Sequence, residues 1–236
     1  MDLRAKIIAT HVRNVLEKDV MCIIAIMNRI ANPRKIARRI LPDVSKELGF
    51  EPNLGSVSRV VERYVNEIEK TGKLSGYDIN KIRDVFGKTR VSVRSDIAVL
   101  EVRMIKAFDE KLTKMIKYVY SKEEKPFINV IYGQSFITIF VDQHNLESIR
   151  KIIGNKNIVS CLRDKAALSI INPPDVLDVP GFGAYAFSIL GLCGINISEV
   201  LSSYNEGIMI LDEKDADYAY KVIREEVKRI RDQSKE

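Results

Sequence analysis

The chain has 236 residues, 46% hydrophobic and 30% charged, with a formal net charge of +6. That composition is globular rather than disordered, the length exceeds one typical core of about 100–150 residues, and no apolar run reaches the roughly 18 residues of a bilayer span. Cys22, Cys161 and Cys193 are odd in number and far apart, which argues against a disulfide framework or metal cluster and for small apolar positions in a reducing compartment.

The charge is unevenly placed. Residues 1–88 hold 17 Lys and Arg against 11 Asp and Glu, whereas residues 89–236 hold 21 of each. The basic excess reads either as a polyanion-facing module or as solvated helix faces. "MDLRAKIIATHVRNVLEKD" is charged throughout and lacks an apolar signal core, so a cytoplasmic protein is expected.

Residues 1–88 read as an all-α basic domain. Ile7, Ile8, Val12, Val15 and Leu16 recur at helical spacing, and "VMCIIAIMNRIA" (20–31) is apolar enough for the centre of a small bundle. Pro33 suits a first helical position, and Pro42 is expected to start another short helix closed by Gly49. In "SVSRVVERYVNEIEK" the stripe Val57, Val60, Val61, Tyr64, Val65 and Ile68 leaves Ser56, Ser58, Arg59, Glu62, Arg63 and Asn66 outward. "TGKLSG" (71–76) links to a last short helix, "DINKIRDVFG".

From residue 89 strands and helices alternate. "TRVSVRSDIAVLEV" is a strand; Met104, Ile105, Phe108, Leu112, Met115, Ile116 and Val119 share one helical face; "FINVIYGQSFITIFV" is a hairpin about Gly133-Gln134; "NLESIRKII" is a helix. "NIVSCLRDKAALSII" reads as two strands around a charged turn. The loop "NPPDVLDV", a helix, the strand "INISEVLSSY", a turn at Asn205-Glu206-Gly207, the strand "IMIL" and the helix "EKDADYAYKVIREEVKRI" follow. Both halves thus read β-α-β-β-α, an internal duplication over 89–163 and 164–236. The expected fold class is α+β, with antiparallel sheets whose edges are free for pairing.

Gly181-x-Gly183-x-x-Ala186 matches a dinucleotide fingerprint only formally. The glycines lie about ten residues beyond the preceding strand, no acid ends the next strand, and a hairpin follows where a crossover helix is required. The remaining functional reading is a small-anion pocket at a helix N-terminus, whose first N–H groups around Gly183 and Ala184 lack internal partners. Asp175 or Asp178 would hold a ligand ammonium, and Asn196 sits on the next strand near the same mouth. The structural alternative is a tight turn with close helix–sheet packing.

"VPGFGAYAFSILGLCGINISEVLSSYNEGIMILDEKDADYAYKVI" resembles an ACT domain, the amino-acid-sensing module of aspartokinases: a Pro-Gly helix start, a Gly-Ile-Asn-Ile strand, a hairpin and an Asp-rich second helix start. Residues 90–163 resemble a first repeat in element order, without the Pro-Gly pair. The resemblance implies two ferredoxin-like βαββαβ repeats. It also implies an amino acid bound at Val179, Pro180, Gly181, Phe182, Gly183, Ala184 and Tyr185 with Asn196 and Ile197, and a homodimer or higher oligomer. The second repeat lacks a clear final strand, which its neighbour is expected to supply.

In the N-terminal part, "VSKELG", a turn and "SVSRVVERY" resemble a helix-turn-helix, with Ser56 and Ser58 opening the recognition helix. Arg59 and Arg63 suit guanine edges or phosphates, and Arg34, Lys35, Arg38 and Arg39 would position the DNA backbone. The turn is about two residues longer than the motif's norm. The combined layout resembles archaeal regulators of amino-acid metabolism that append ACT domains to a helical module. His11 and His144 form no nucleophile–base arrangement and no acidic pair stands out, so neither enzymatic activity nor a cofactor or metal is expected. The expected function is an amino-acid-responsive DNA-binding regulator; the alternatives are a regulatory subunit docking on a biosynthetic enzyme and an enzyme with an unrecognised helical active site.

Overall fold

The computed structural model describes residues 3–27, 30–74, 77–106 and 108–233. The chain forms two compact units, one running through Arg83 together with Val179–Gly181, the other comprising Asp84–Asp178 and the chain from Phe182 onward.

The first unit holds α1 (Leu3–Lys18), α2 (Val20–Met27), α3 (Pro33–Leu48) and α4 (Leu54–Thr71), then the two-residue strands β1 (Lys73–Leu74) and β2 (Tyr77–Asp78). The dividing point between the units falls inside α5 (Ile79–Gly87). The helical periodicity does what it implies: Val12, Leu16, Ala37, Val44, Val57 and Val61 are wholly covered in one core. One expectation is corrected. Pro42 lies inside α3 rather than at a helix start; its missing N–H and the crowding of its ring against the preceding turn carry a cost, which burial of Ile36, Ala37, Ile40 and Val44 on the same helix offsets. The apolar stretch 20–31 is helical over Val20–Met27, with Cys22 and Ile26 in the same core, and Asn28 and Arg29 lie outside the described residues. Asn32 caps α3 by accepting the Lys35 N–H at 3.0 Å, and Gly49 closes it in the left-handed region at φ 73°.

The second unit contains β3 (Arg90–Arg103), α6 (Phe108–Lys122), β4 (Ile128–Tyr132), β5 (Phe136–Asp142), α7 (Leu146–Ile153), β6 (Ile158–Ile171), α8 (Phe182–Leu192), β7 (Ile197–Ser203), β8 (Glu206–Asp212) and α9 (Ala216–Gln233). All six strands join one antiparallel sheet in the order β4-β5-β3-β6-β8-β7, where the repeat pattern implied two sheets. The merger comes from β3 and β6, which pair along their whole length, from Arg90 opposite Ile171 to Val102 opposite Ile158. The charged stretch Arg163-Asp164-Lys165 is therefore no turn between two strands. Asp164 takes φ 53° inside a continuous β6, and Asp96 takes φ 57° inside β3, where the register shifts between Arg94 and Ile97. Smaller corrections concern the ends of elements. α6 starts at Phe108, leaving Met104 and Ile105 ahead of it, and the last hairpin turns at Tyr204-Asn205, placing Glu206 and Gly207 in β8.

One sheet face is covered by helices. α6 and α7 bury Ala98, Leu100 and Val102 of β3 with Ile137, Ile139 and Val141 of β5, while α9 packs on β3 and β6 and against α8. The opposite face has its own cluster, Ile97, Val99, Phe140, Ala167, Leu201, Ile208 and Ile210, each 8% exposed or less although no helix belongs to it. The sheet curls, so that these side chains cover one another. At roughly 1.5–3 kcal/mol for each large apolar side chain withdrawn from water, that cluster favours the curl over a flat sheet.

Candidate functional site

The segment from Asn172 to Ile197 is pinned at its start. Asn172 is buried: its side chain accepts the Thr89 hydroxyl at 2.9 Å and donates to the Asn205 carbonyl at 3.0 Å, while the Asn205 side chain donates back to the Asn172 carbonyl. Beyond this clamp the Pro173-Pro174 pair leads into a 3-10 turn over Pro174–Asp178, which leaves Asp175 and Asp178 exposed. Val179 is buried, Pro180 exposed, and Gly181 takes φ 86°. A Cβ built on Gly181 would stand 1.9 Å from Cε1 of Tyr77, so the glycine is required by close approach of that ring as well as by its dihedral angle.

α8 begins at Phe182. Gly183 and Ala184, in the first turn where N–H groups lack intrahelical acceptors, are exposed, and a Cβ on Gly183 would meet only Phe187, at 3.8 Å. The neighbouring side chains face the protein. Phe182 and Tyr185 pack on Phe86 with ring centroids 5.6 and 5.1 Å away, and the Tyr185 hydroxyl donates to Glu226, which also holds Arg229. Gly194 ends the α8 region at φ 76°, Asn196 is exposed, and Ile197 is half-buried as the first residue of β7. Of the residues expected at the ligand, the exposed ones are thus Asp175, Asp178, Pro180, Gly183, Ala184 and Asn196; Phe182 and Tyr185 serve the core.

In the helical unit, a five-residue connection joins α3 to α4. Asn53 caps α4 by accepting the Gly55 N–H at 2.8 Å. Ser56 and Ser58 are half-buried, while Arg59 and Arg63 are exposed. A cleft of about 700 Å³ is lined by Arg4, Phe50, Asn53, Ser56, Arg59 and Arg63, with Glu51 and Glu62 also on its wall. Arg4 sits over the Phe50 ring at 5.0 Å. A second cleft of about 470 Å³ takes Lys6 and Arg13 from α1 and Arg63 from α4; there Arg13 holds Glu67 at 2.5 Å and lies over the Tyr64 ring. Sequence reading named Arg59 and Arg63 and passed over Arg4, Lys6 and Arg13; the signal available was their recurrence along the first predicted helix.

On α3, Arg34, Lys35, Arg38 and Arg39 are exposed. Arg39 is engaged: its Nε donates to Asp19 at 2.6 Å, and Asp19 in turn accepts the Met21 and Cys22 N–H groups at the start of α2. Burial raises the Asp19 carboxyl, but the Arg39 hydrogen bond and the Cys22 N–H outweigh it and hold the group below the usual carboxylate range. Burial also pushes the Cys22 thiol up to about 11, helped by the Asp19 charge, so it stays protonated at neutral pH. His11 lies 3.1 Å from Glu47, which also pairs with Lys18, and His144 lies 2.5 Å from Glu123, which also accepts from Asn145 and faces Arg94. Among the described residues no group of three His, Cys, Asp or Glu is placed to hold a metal ion, and no helix is long and apolar enough to cross a membrane.

No family model and no curated protein matches the sequence. Among solved structures, the chain is similar to the regulatory subunit of aspartate kinase from Thermus thermophilus in its ligand-free form (16% identity, 57% of this chain and 94% of that one, TM-score 0.45). It is similar too to the same subunit from Thermus flavus (14%, 58% and 95%, TM-score 0.44) and to E. coli aspartokinase III in complex with lysine and aspartate (11%, 59% and 33%, TM-score 0.45).

Proposed function

We propose that this protein is a non-catalytic, cytoplasmic regulator that senses a free amino acid and binds DNA. The observation that carries the DNA part is the start of α4, where Arg59 and Arg63 stand exposed one turn apart on a helix whose other face is buried. Ser56 and Arg4 share their cleft. This matches a recognition helix entered from its N-terminus, with Arg34, Lys35 and Arg38 on α3 for phosphates. The sensing part rests on the resemblance of 179–197 to an ACT domain and on exposed Gly183 and Ala184, which offer first-turn amides to a ligand carboxylate. Asp175, Asp178 and Asn196 remain the proposed ammonium and side-chain partners.

In this reading the second unit is two ACT repeats that exchange strands. The first half of β3 (Arg90–Arg94) lies beside the second half of β6 and supplies the strand that the second repeat lacks after α9. β4 and β7, the sheet edges, are the surfaces for pairing of two copies. An amino acid that binds one paired arrangement better by about 1–3 kcal/mol changes operator occupancy about 5–150-fold.

Two measurements test it. Gel shifts with genomic fragments at two salt concentrations should show affinity falling with salt, and falling again in Arg59→Ala/Arg63→Ala; equal retention by both proteins removes the recognition helix. A thermal-shift screen of the twenty amino acids against wild type and Gly183→Val should find a ligand that stabilises only the former. A docking subunit for a biosynthetic enzyme is the second reading, favoured by Leu3 and Ile7 standing 72% and 44% exposed on α1. It predicts co-purification with that enzyme and no steep salt dependence on DNA.

A further inference from the structure

The helix-free face of the curled sheet opens at one end into a cavity of about 590 Å³. That is within the usual range of about 300–1,000 Å³ for small-molecule sites. Five polar side chains converge on it: Ser92 of β3, Asn129 of β4, Ser169 of β6, Ser203 of β7 and Glu206 of β8. The register explains the meeting. Ser92 stands opposite Ser169, and Ser203 opposite Glu206. The bulge between Arg94 and Ile97 puts Ser92 and Arg94 on the same face as Ile97 and Val99. Asn129 and Ser203 come from opposite edges of the sheet, which the curl brings to one mouth.

The electrostatics of the mouth are one-sided. Its cation, Arg94, is neutralised by Asp142 through Nε and Nη2 at 2.6 and 2.8 Å, and Nη1 donates to the Lys125 carbonyl at 3.0 Å. Glu206 is half-buried, and its carboxylate makes no ion pair or hydrogen bond to any described residue; nor do the side chains of Ser92, Asn129, Ser169 and Ser203. A half-dehydrated carboxylate among hydroxyl and amide acceptors favours a cation that carries N–H donors. Phe127 and Ile208 add an apolar wall for the rest of the molecule.

We propose that this mouth is a binding site for a small primary amine, its ammonium on Glu206 with Ser169 and Ser203, its carbon chain against Phe127 and Ile208. One carboxylate is too few for calcium, which collects six to eight oxygens, several of them charged. The site uses none of the residues at the start of α8, so it is distinct from the amino-acid site proposed above, although Asn129 and Ser203 come from β4 and β7, the edge strands proposed to pair.

The test is an amide-resolved NMR titration of the full chain with butylamine, 1,4-diaminobutane, butanol and calcium chloride. The amines should give saturable shifts at Ser92, Ser169 and Glu206 that butanol and calcium do not. Glu206→Gln should weaken amine binding by at least about tenfold while its thermal midpoint stays near wild type, and Gly183→Val should bind as wild type does. If Glu206→Gln fails to fold, Ser92→Ala/Ser203→Ala, at exposed positions, takes its place with weaker amine binding expected. Absence of saturable shifts, equal response to calcium, undiminished binding in the folded variant, or loss of binding in a folded Gly183→Val would each overturn the assignment.

Discussion

Arg94 grips Asp142 with two guanidinium nitrogens, and the same carboxylate accepts the Phe127 N–H at 2.7 Å. The Asp142 side chain is 5% exposed and the Arg94 side chain 40%. Arg94→Met therefore leaves a buried carboxylate with one donor. Breaking a fully buried pair costs about 3–5 kcal/mol, and the half-exposed arginine lowers the expectation to about 2–3 kcal/mol. Urea unfolding should show that loss, and Arg94→Met/Asp142→Asn should recover part of it.

At the glycine pair the two positions should respond oppositely. Gly181→Ala places a Cβ into the Tyr77 ring at φ 86°, and the left-handed backbone alone costs about 1–2 kcal/mol. A loss of at least about 2 kcal/mol is expected. Gly183→Ala adds an ordinary contact to Phe187 in a helical backbone and should gain up to about 0.5–1 kcal/mol. Thermal unfolding of the two variants checks both signs.

Asp96 sits at φ 57° in the middle of β3. Asp tolerates that region better than a β-branched residue does. Asp96→Val should cost about 1–2 kcal/mol, whereas Asp96→Gly should stay within about 1 kcal/mol of wild type. Chemical denaturation distinguishes them.

Lys165 and Asp212 face each other across β6 and β8 and form an ion pair. The Lys165 hydrogen bond, then its charge, hold the Asp212 carboxyl below the usual carboxylate range. Because the folded-state value is the lower one, the pair stabilises the protein above the unfolded Asp value of about 3.9, and the benefit disappears as pH falls through the folded value. The stability difference between wild type and Lys165→Met should be full at pH 7, begin to shrink near the unfolded value of about 3.9, and vanish only once pH has fallen through the lower folded-state value, measured by urea unfolding across pH.

Local chemistry made some of this fold legible and left the rest invisible. The hairpin of β4 and β5 was readable because alternating apolar residues flank Gly133, and α4 because Val57, Val61, Tyr64 and Ile68 fall on one face. At Asp164 the local signal was ambiguous: a charged residue tolerant of positive φ serves a turn or a bulge equally well, and the distant partner strand, with Ile97 opposite Lys165, decides between them. The segment from Asp175 to Asn196 carried a motif that a reader can find, yet the ring of Tyr77 on Gly181 comes from a distant part of the chain. Ser92, Ser169 and Ser203 gave no signal at all, since three serines on three strands become neighbours only through register and curl.

The full-length pairing of β3 with β6 also constrains how the molecule is made. During synthesis β3 leaves the ribosome long before β6, and one of its two sides has no partner until residues 158–171 have emerged. A nascent chain in that interval carries a fourteen-residue strand with an open flank, the kind of edge that templates unwanted association. Folding is thereby tied to completion of the second half, and truncations ending before residue 158 should accumulate as aggregate rather than as a smaller folded module.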